Sequence, residues 1–199
     1  MMNPRIQEMI AQSIATKQAV LADEKLLATV QKVADHCIAT FQNKGKILFC
    51  GNGGSAADAQ HLAAELSGRF YFDREPLFAE ALHVNTSFVT AVANDYSYEE
   101  VYARMVRAAG RKGDILFAMS TSGNSPNILR AVEDAQKIGM TTIGMTGETG
   151  GKMYNLCDFL INIPSRDTPR IQECHMMLGH LLCELIESSL FSKPNAENS

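Results

Sequence analysis

No Lys/Arg-rich run occurs anywhere in the chain, and its 18 Lys and Arg are outnumbered by 22 Asp and Glu, a formal net charge of -4. A duplex would find no electrostatic footprint, so no nucleic-acid partner is expected. Long apolar runs are missing too. None approaches the roughly 18 residues that span a bilayer, and the opening MMNPRIQEMIAQ lacks the basic end and apolar block of a signal peptide. The expectation is a cytoplasmic protein with no membrane partner. CxxC pairs are also absent. The five cysteines, Cys37, Cys50, Cys157, Cys174 and Cys183, are odd in number and scattered, several inside apolar runs, which points to reduced thiols packed as small hydrophobes rather than a disulfide framework. There is no internal repeat and no low-complexity linker, and 199 residues at 46% hydrophobic and 20% charged suit one soluble domain over 1-199.

What is present has a clear order. Residues 5-43 carry apolar positions at helical spacing (Ile6, Met9, Ile10, Ile14, then Leu26, Leu27, Val30, Val33, Ala34, Cys37, Ile38, Phe41), predicting two helices broken near Asp23 whose apolar stripe is a packing face. After them, short apolar runs alternate with helical ones. Strands are expected at 46-50, 78-84, 114-120, 141-146 and 159-163, and helices at 55-67, 86-109, 126-138, 150-157 and about 170-191. Such alternation implies right-handed crossovers and an α/β sandwich, a parallel five-stranded sheet with helices on both faces. The polar tail 192-199 is expected to fray. In these folds ligands bind beyond the carboxyl ends of the strands.

Two of those ends look built for anions. The first strand runs into Gly51-Asn52-Gly53-Gly54-Ser55, where the glycines allow a tight turn and close approach to a ligand, and Ser55 with Asp58 reads as a capping box opening a helix. A plain strand-to-helix turn is the simpler reading. The segment also meets the loose pattern G-x-G-x-x-A of dinucleotide sites, but the second strand ends in Leu82-His83-Val84-Asn85 without the acidic residue that would hold a ribose, so no nucleotide cofactor is expected. The third strand runs into Ser120-Thr121-Ser122-Gly123-Asn124-Ser125-Pro126, with hydroxyls and a helix start capped by Ser125 converging as a phosphate monoester requires. A solvated serine-rich turn is the alternative there. No Lys follows in P-loop spacing.

Acid-base and metal candidates come from two helices. His61 and Glu65 stand four apart and so share a face, and the last helix carries Arg170, Gln172, Glu173, His175 and His180. Either set also fits ordinary surface contacts or packed core histidines.

Five separated blocks, CGNGGSAADAQHLAAELSGRF at 50-70, AND at 93-95, STSGNSPN at 120-127, TGETGGK at 146-152 and RIQECH at 170-175, resemble in content and order the sugar isomerase (SIS) domain family, most closely its phosphoheptose isomerases. The resemblance implies a homotetramer with active sites at subunit contacts. It also implies aldose-ketose isomerisation of sedoheptulose 7-phosphate to D-glycero-D-manno-heptose 7-phosphate, for bacterial heptose and lipopolysaccharide precursors. Carried over, the phosphate cradle is Ser120, Thr121, Ser122 and Ser125. Sugar contacts fall on Asn52, Gly53, Gly54, Ser55, Arg69, Asn94, Asp95 and Gln172, and the acid-base pair on Glu65 and His180. Zinc, one per subunit, would take His61, Glu65, Gln172 and His180. A second SIS relative, a catalytically silent homotetramer that binds the replication initiator DnaA, matches the same blocks but lacks the acid-base pair; both residue types stand here, favouring the enzyme.

One spacing resists this ligand set. Gln172 and His180 are eight residues apart, about 12 Å along a helix and about 80° around it. Either the helix begins after Gln172, or the side chains stretch, or the ligands come from different subunits; the last is preferred.

Overall fold

The computed structural model describes residues 3-191, so the expected fraying of 192-199 lies outside the described residues. Helices α1 (Pro4–Ala22) and α2 (Glu24–Gln42) meet at Asp23. Its carboxylate accepts from the N–H groups of Lys25 and Leu26 at 3.1 and 3.0 Å, so the residue that ends one helix caps the next. The break expected near Asp23 is where the fold puts it.

Strand β1 (Ile47–Gly51) begins a sheet completed by β2 (Ala79–Ala81), β3 (Ile115–Met119), β4 (Thr141–Thr146) and β5 (Phe159–Asn162). All pairings are parallel and the order is β2-β1-β3-β4-β5. The central strands β1 and β3 read as continuous, fully buried runs because helices cover both faces. Ile47 and Phe49 face a core with α2, α3 (Gly54–Ser67) and α7 (Thr168–Leu190), while Leu48 and Cys50 face another with α5 (Val101–Ala109) and α6 (Pro126–Ile138). This is the expected three-layer sandwich.

Four local expectations are corrected. The second strand is only Ala79–Ala81, not 78-84, because this edge strand pairs with β1 alone and the chain then turns, the Val84 N–H reaching the Ala81 carbonyl. The helix expected over 86-109 is broken into α4 (Thr86–Asp95), a 3-10 turn at Tyr98–Glu100 and α5. Extended Ser97 makes the break, and it lets the Tyr98 hydroxyl donate to Asn52 and the Tyr102 hydroxyl to the Gly51 carbonyl. Residues 151-155 form a 3-10 turn, tighter than the helix expected over 150-157. Finally, α3 starts at Gly54 and is capped by Gly53, not Ser55. Gly53 has φ 57 and ψ -121, a conformation in which a Cβ is strongly disfavoured. Ser55 is buried in the first turn, and Asp58 makes no capping bond: its Oδ2 has no partner among the described residues.

Candidate active site

The sheet order places β1 and β3 side by side while the chain leaves them in opposite directions, which makes a crevice at their carboxyl ends. Both anion-type loops are therefore neighbours. They are joined by a reciprocal amide pair: Asn52 Nδ2 donates to Asn127 Oδ1 and Asn127 Nδ2 donates to Asn52 Oδ1, both at 2.9 Å. Asn127 is buried. Each such bond contributes about 1 kcal/mol net, and a buried amide left unpaired costs more.

In the second loop, Ser120 Oγ lies 3.0 Å from Ser125 Oγ and 3.5 Å from Ser122 Oγ. Ser125 occupies the cap position of α6, but its hydroxyl makes no capping bond; it turns to Ser120 instead. Three hydroxyls thus converge at a helix start with Pro126 in its first turn, the arrangement a phosphate monoester can use. Thr121 and Ser122 also line an open cavity of about 380 Å³ with Glu148, Arg166 and Thr168 among its walls.

The second cluster lies on α3 and α7. Their contacts run in step: Gly54 lies under the Gln172 amide, Leu62 against Gly179, His61 beside His180. The two helices are therefore parallel neighbours. A Cβ on Gly179 would come within 2.6 Å of Leu62, so this glycine sets the close approach beside the two histidines. His61 Nε2 lies 3.0 Å from Glu65 Oε1 and 3.3 Å from His180 Nε2. One ligand atom from each of His61, Glu65 and His180 lies within 4.8 Å of the others. His61 is exposed and the other two half-buried.

Gln172 is not with them. Helix α7 is continuous from Thr168 to Leu190, which removes the explanation that it begins after Gln172. The Gln172 amide sits on Gly54, where a Cβ would be 2.6 Å from its Nε2, at the loop after β1 and about two turns from His180. Arg69 is exposed just past α3, and Asn94 and Asp95 are exposed at the end of α4, the Asn94 amide donating to Asp95 at 2.9 Å. Among the described residues no hydrogen bond ties these three to the His61 cluster.

The rest of the RIQECH block is structural. Arg170 donates to the Met9 carbonyl at 2.8 Å and pairs with Glu173, which accepts from Ser13, so these residues dock α1. Cys174 is buried and burial pushes its thiol up; all five thiols are free. His175 is fully buried, its Nε2 3.1 Å from the Thr146 carbonyl and its Nδ1 without a partner among the described residues. Burial lowers it to about 4, against the opposing pull of that carbonyl. Between pH 6.5 and 4 the unfolded chain therefore binds a proton at this residue that the folded chain refuses, and stability is lost as pH falls through that window. The loss from this group is on the order of 3 kcal/mol. Urea titrations across that range should show it, and His175→Gln should flatten the slope.

Sequence reasoning missed a buried ion pair behind the cluster. Glu187 and Arg74 are 0% and 2% exposed, with Arg74 Nε donating to Glu187 Oε1 at 2.9 Å. The Phe70 and Tyr71 N–H groups donate to the same carboxylate at 2.9 and 2.7 Å. Burial alone would raise this carboxyl; the N–H groups of Tyr71 and Phe70 and the Arg74 guanidinium outweigh it and hold it below its usual range. Deleting one partner of such a pair costs about 3–5 kcal/mol. The available signal was a charge at a core position: Glu187 falls four residues after Cys183 on the buried face of α7.

Residues 8–147 match the family model described as SIS domain, which makes this an SIS-domain α/β protein. Phosphoheptose isomerase of Burkholderia pseudomallei is 56% identical over 184 residues, covering 92% of this chain and 93% of that one. The enzyme of the same name from Aneurinibacillus thermoaerophilus is 50% identical over 190 residues, 96% of each. The solved phosphoheptose isomerase of Neisseria gonorrhoeae superposes with a TM-score of 0.88 at 43% identity, over 93% of this chain and 98% of that one. The chain belongs to the phosphoheptose isomerase family of SIS-domain proteins.

Proposed function

We propose that this chain is an aldose-ketose isomerase that converts sedoheptulose 7-phosphate to D-glycero-D-manno-heptose 7-phosphate through a cis-enediol. The observation that carries the chemistry is the convergence of Glu65 and His180 with His61, supported by relatives that bear the isomerase name at half or more identity. Moving the carbonyl from C2 to C1 removes a proton from C1 and returns one to C2, while a proton is exchanged between the two oxygens. Glu65, a carboxylate able to take and return a proton, serves the carbons. His180 serves the oxygens. Each positioned group contributes about 10²–10⁴-fold. The Ser120, Ser122 and Ser125 hydroxyls, with Thr121 and the first turn of α6, hold the phosphate; Asn52, Gly53, Gly54, Ser55, Arg69, Asn94, Asp95 and Gln172 meet the sugar.

The donor set also fits a divalent cation. His61 Nε2 carries at most one proton, yet faces both a carboxylate oxygen and a second imidazole nitrogen, and one cation satisfies all three lone pairs at once. The 3.0 and 3.3 Å separations are near the edge of about 3.3–3.4 Å that tetrahedral ligation at 2.0–2.1 Å implies. Zinc is the ion proposed, one per subunit, and when bound it supplies a Lewis acid for the substrate oxygens. Its fourth protein ligand, Gln172, comes from another copy of the chain, because within one chain it lies on Gly54. The exposed apolar side of α1, with Ile6, Met9, Ile10 and Ile14 each about half exposed or more, supports the proposed homotetramer.

The test is turnover of sedoheptulose 7-phosphate by purified protein, with metal analysis before and after chelation. Aldose should form, and chelation should lower the rate and zinc content together. A protein that binds the sugar phosphate without making aldose would overturn the reading in favour of a silent SIS module.

A further inference from the structure

We infer that the buried Arg74–Glu187 pair is a positioning device that sets the geometry of Glu65 and His180 from behind, and that the rate of isomerisation depends on it. The inference rests on the proposed roles of Glu65 and His180. Six contacts carry it. Arg74 Nη2 donates to the Glu65 backbone carbonyl at 3.0 Å and Nη1 to that of Leu66 at 2.9 Å, so the guanidinium closes the last turn of α3, the turn that presents Glu65. Those are carbonyls a helix end leaves without intrahelical partners. Glu187 stands seven residues beyond His180 on α7 and orients that guanidinium through Nε. The same carboxylate fixes the N–H groups of Phe70 and Tyr71. Phe70 in turn packs against the His180 imidazole, ring centroids 5.8 Å apart.

One carboxylate therefore connects both members of the reacting pair: to Glu65 by hydrogen bonds through Arg74, and to His180 by the Phe70 ring whose backbone it holds. The only other polar contact between α3 and α7 among the described residues is that of His61 Nε2 with His180 Nε2, within the site itself. The planar fork of arginine is what makes this geometry, since it reaches Glu187, Glu65, Leu66, Gly68 and Glu75 at once; a lysine offers a point charge and no fork. The phosphate cradle follows β3, on the other side of the first loop, and none of its bonds involves Arg74 or Glu187. Disturbing the pair should thus displace the acid-base groups while leaving the phosphate grip alone. A displacement of about 1 Å at reacting groups costs on the order of 10²-fold in rate.

The experiment measures kcat and KM for sedoheptulose 7-phosphate in Arg74→Lys and Glu187→Gln, each checked for folding by circular dichroism, alongside Glu65→Gln. The expected result is a kcat about 10²-fold lower in both variants with KM within about threefold. The combination Arg74→Lys with Glu187→Gln should lose little more than the worse single, because both act through one contact. Arg74→Lys keeps the charge and is the variant to rely on should Glu187→Gln fail to fold. Folded variants with unchanged kcat, or with KM raised in step with any loss of kcat, would overturn the positioning role. Substantial turnover by Glu65→Gln would instead overturn the assignment of the reacting pair, so the two failures are separable.

Discussion

Glu65→Gln is expected to lower kcat by about 10³–10⁴-fold, the upper part of the range for one positioned acid-base group. The amide has the same shape but cannot accept and return a carbon-bound proton. Its site should survive the change. Glu65 is half-buried, and its backbone carbonyl is held by Arg74 independently of the side chain. The proposed phosphate cradle lies in another loop, so calorimetry should show sugar-phosphate binding within a few-fold of the parent protein, and the melting temperature should move little. Metal content belongs in the same measurement. A glutamine oxygen ligates more weakly than a carboxylate, so the decisive comparison is made with added zinc. A variant that binds zinc and sugar phosphate yet turns over at more than a tenth of the parent rate would defeat the assignment.

A charge placed on α1 is expected to abolish activity without touching the site. Ile10 and Ile14 are 56% and 51% exposed in the single chain, and they stand one turn apart on a face that also carries Ile6. If α1 lies in the interface of the proposed homotetramer, Ile10→Glu with Ile14→Glu should dissociate it, because burying two carboxylates against apolar surface is far more costly than the contact is worth. The monomer should keep its core, since neither residue belongs to either buried cluster. If Gln172 reaches the His61 cluster of another copy, zinc affinity and turnover fall together on dissociation. Sedimentation, zinc titration and the isomerase assay on one preparation check this. A folded monomer retaining both properties would place the whole site within one chain.

Much of this fold could be read from residue patterns. β4 and α6 have the expected limits, because a buried apolar run and a Pro-to-Gly bounded amphipathic segment each have one stable solution. Spacing alone made the His61, Glu65, His180 group legible only in part: helical spacing joins His61 to Glu65, the family resemblance adds His180, and the parallel packing of α3 and α7 is what brings it beside them. What stayed hidden depends on tertiary partners. Asn127 matters because of Asn52, 75 residues earlier, and Glu187 because of Phe70, 117 residues earlier. Ser55 fits a capping box by composition, yet Gly53 takes the cap because the chain turns there with positive φ. The position of Gln172 over Gly54 follows from helix packing that no local spacing contains.

The most direct test is proton and carbon NMR of sedoheptulose 7-phosphate incubated with the zinc-loaded protein in D₂O. An enediol formed by Glu65 should yield the aldose 7-phosphate with deuterium at C2, and the returned ketose should carry deuterium at C1. A ketose recovered unchanged, with no aldose and no deuterium at C1, would contradict the isomerase function itself.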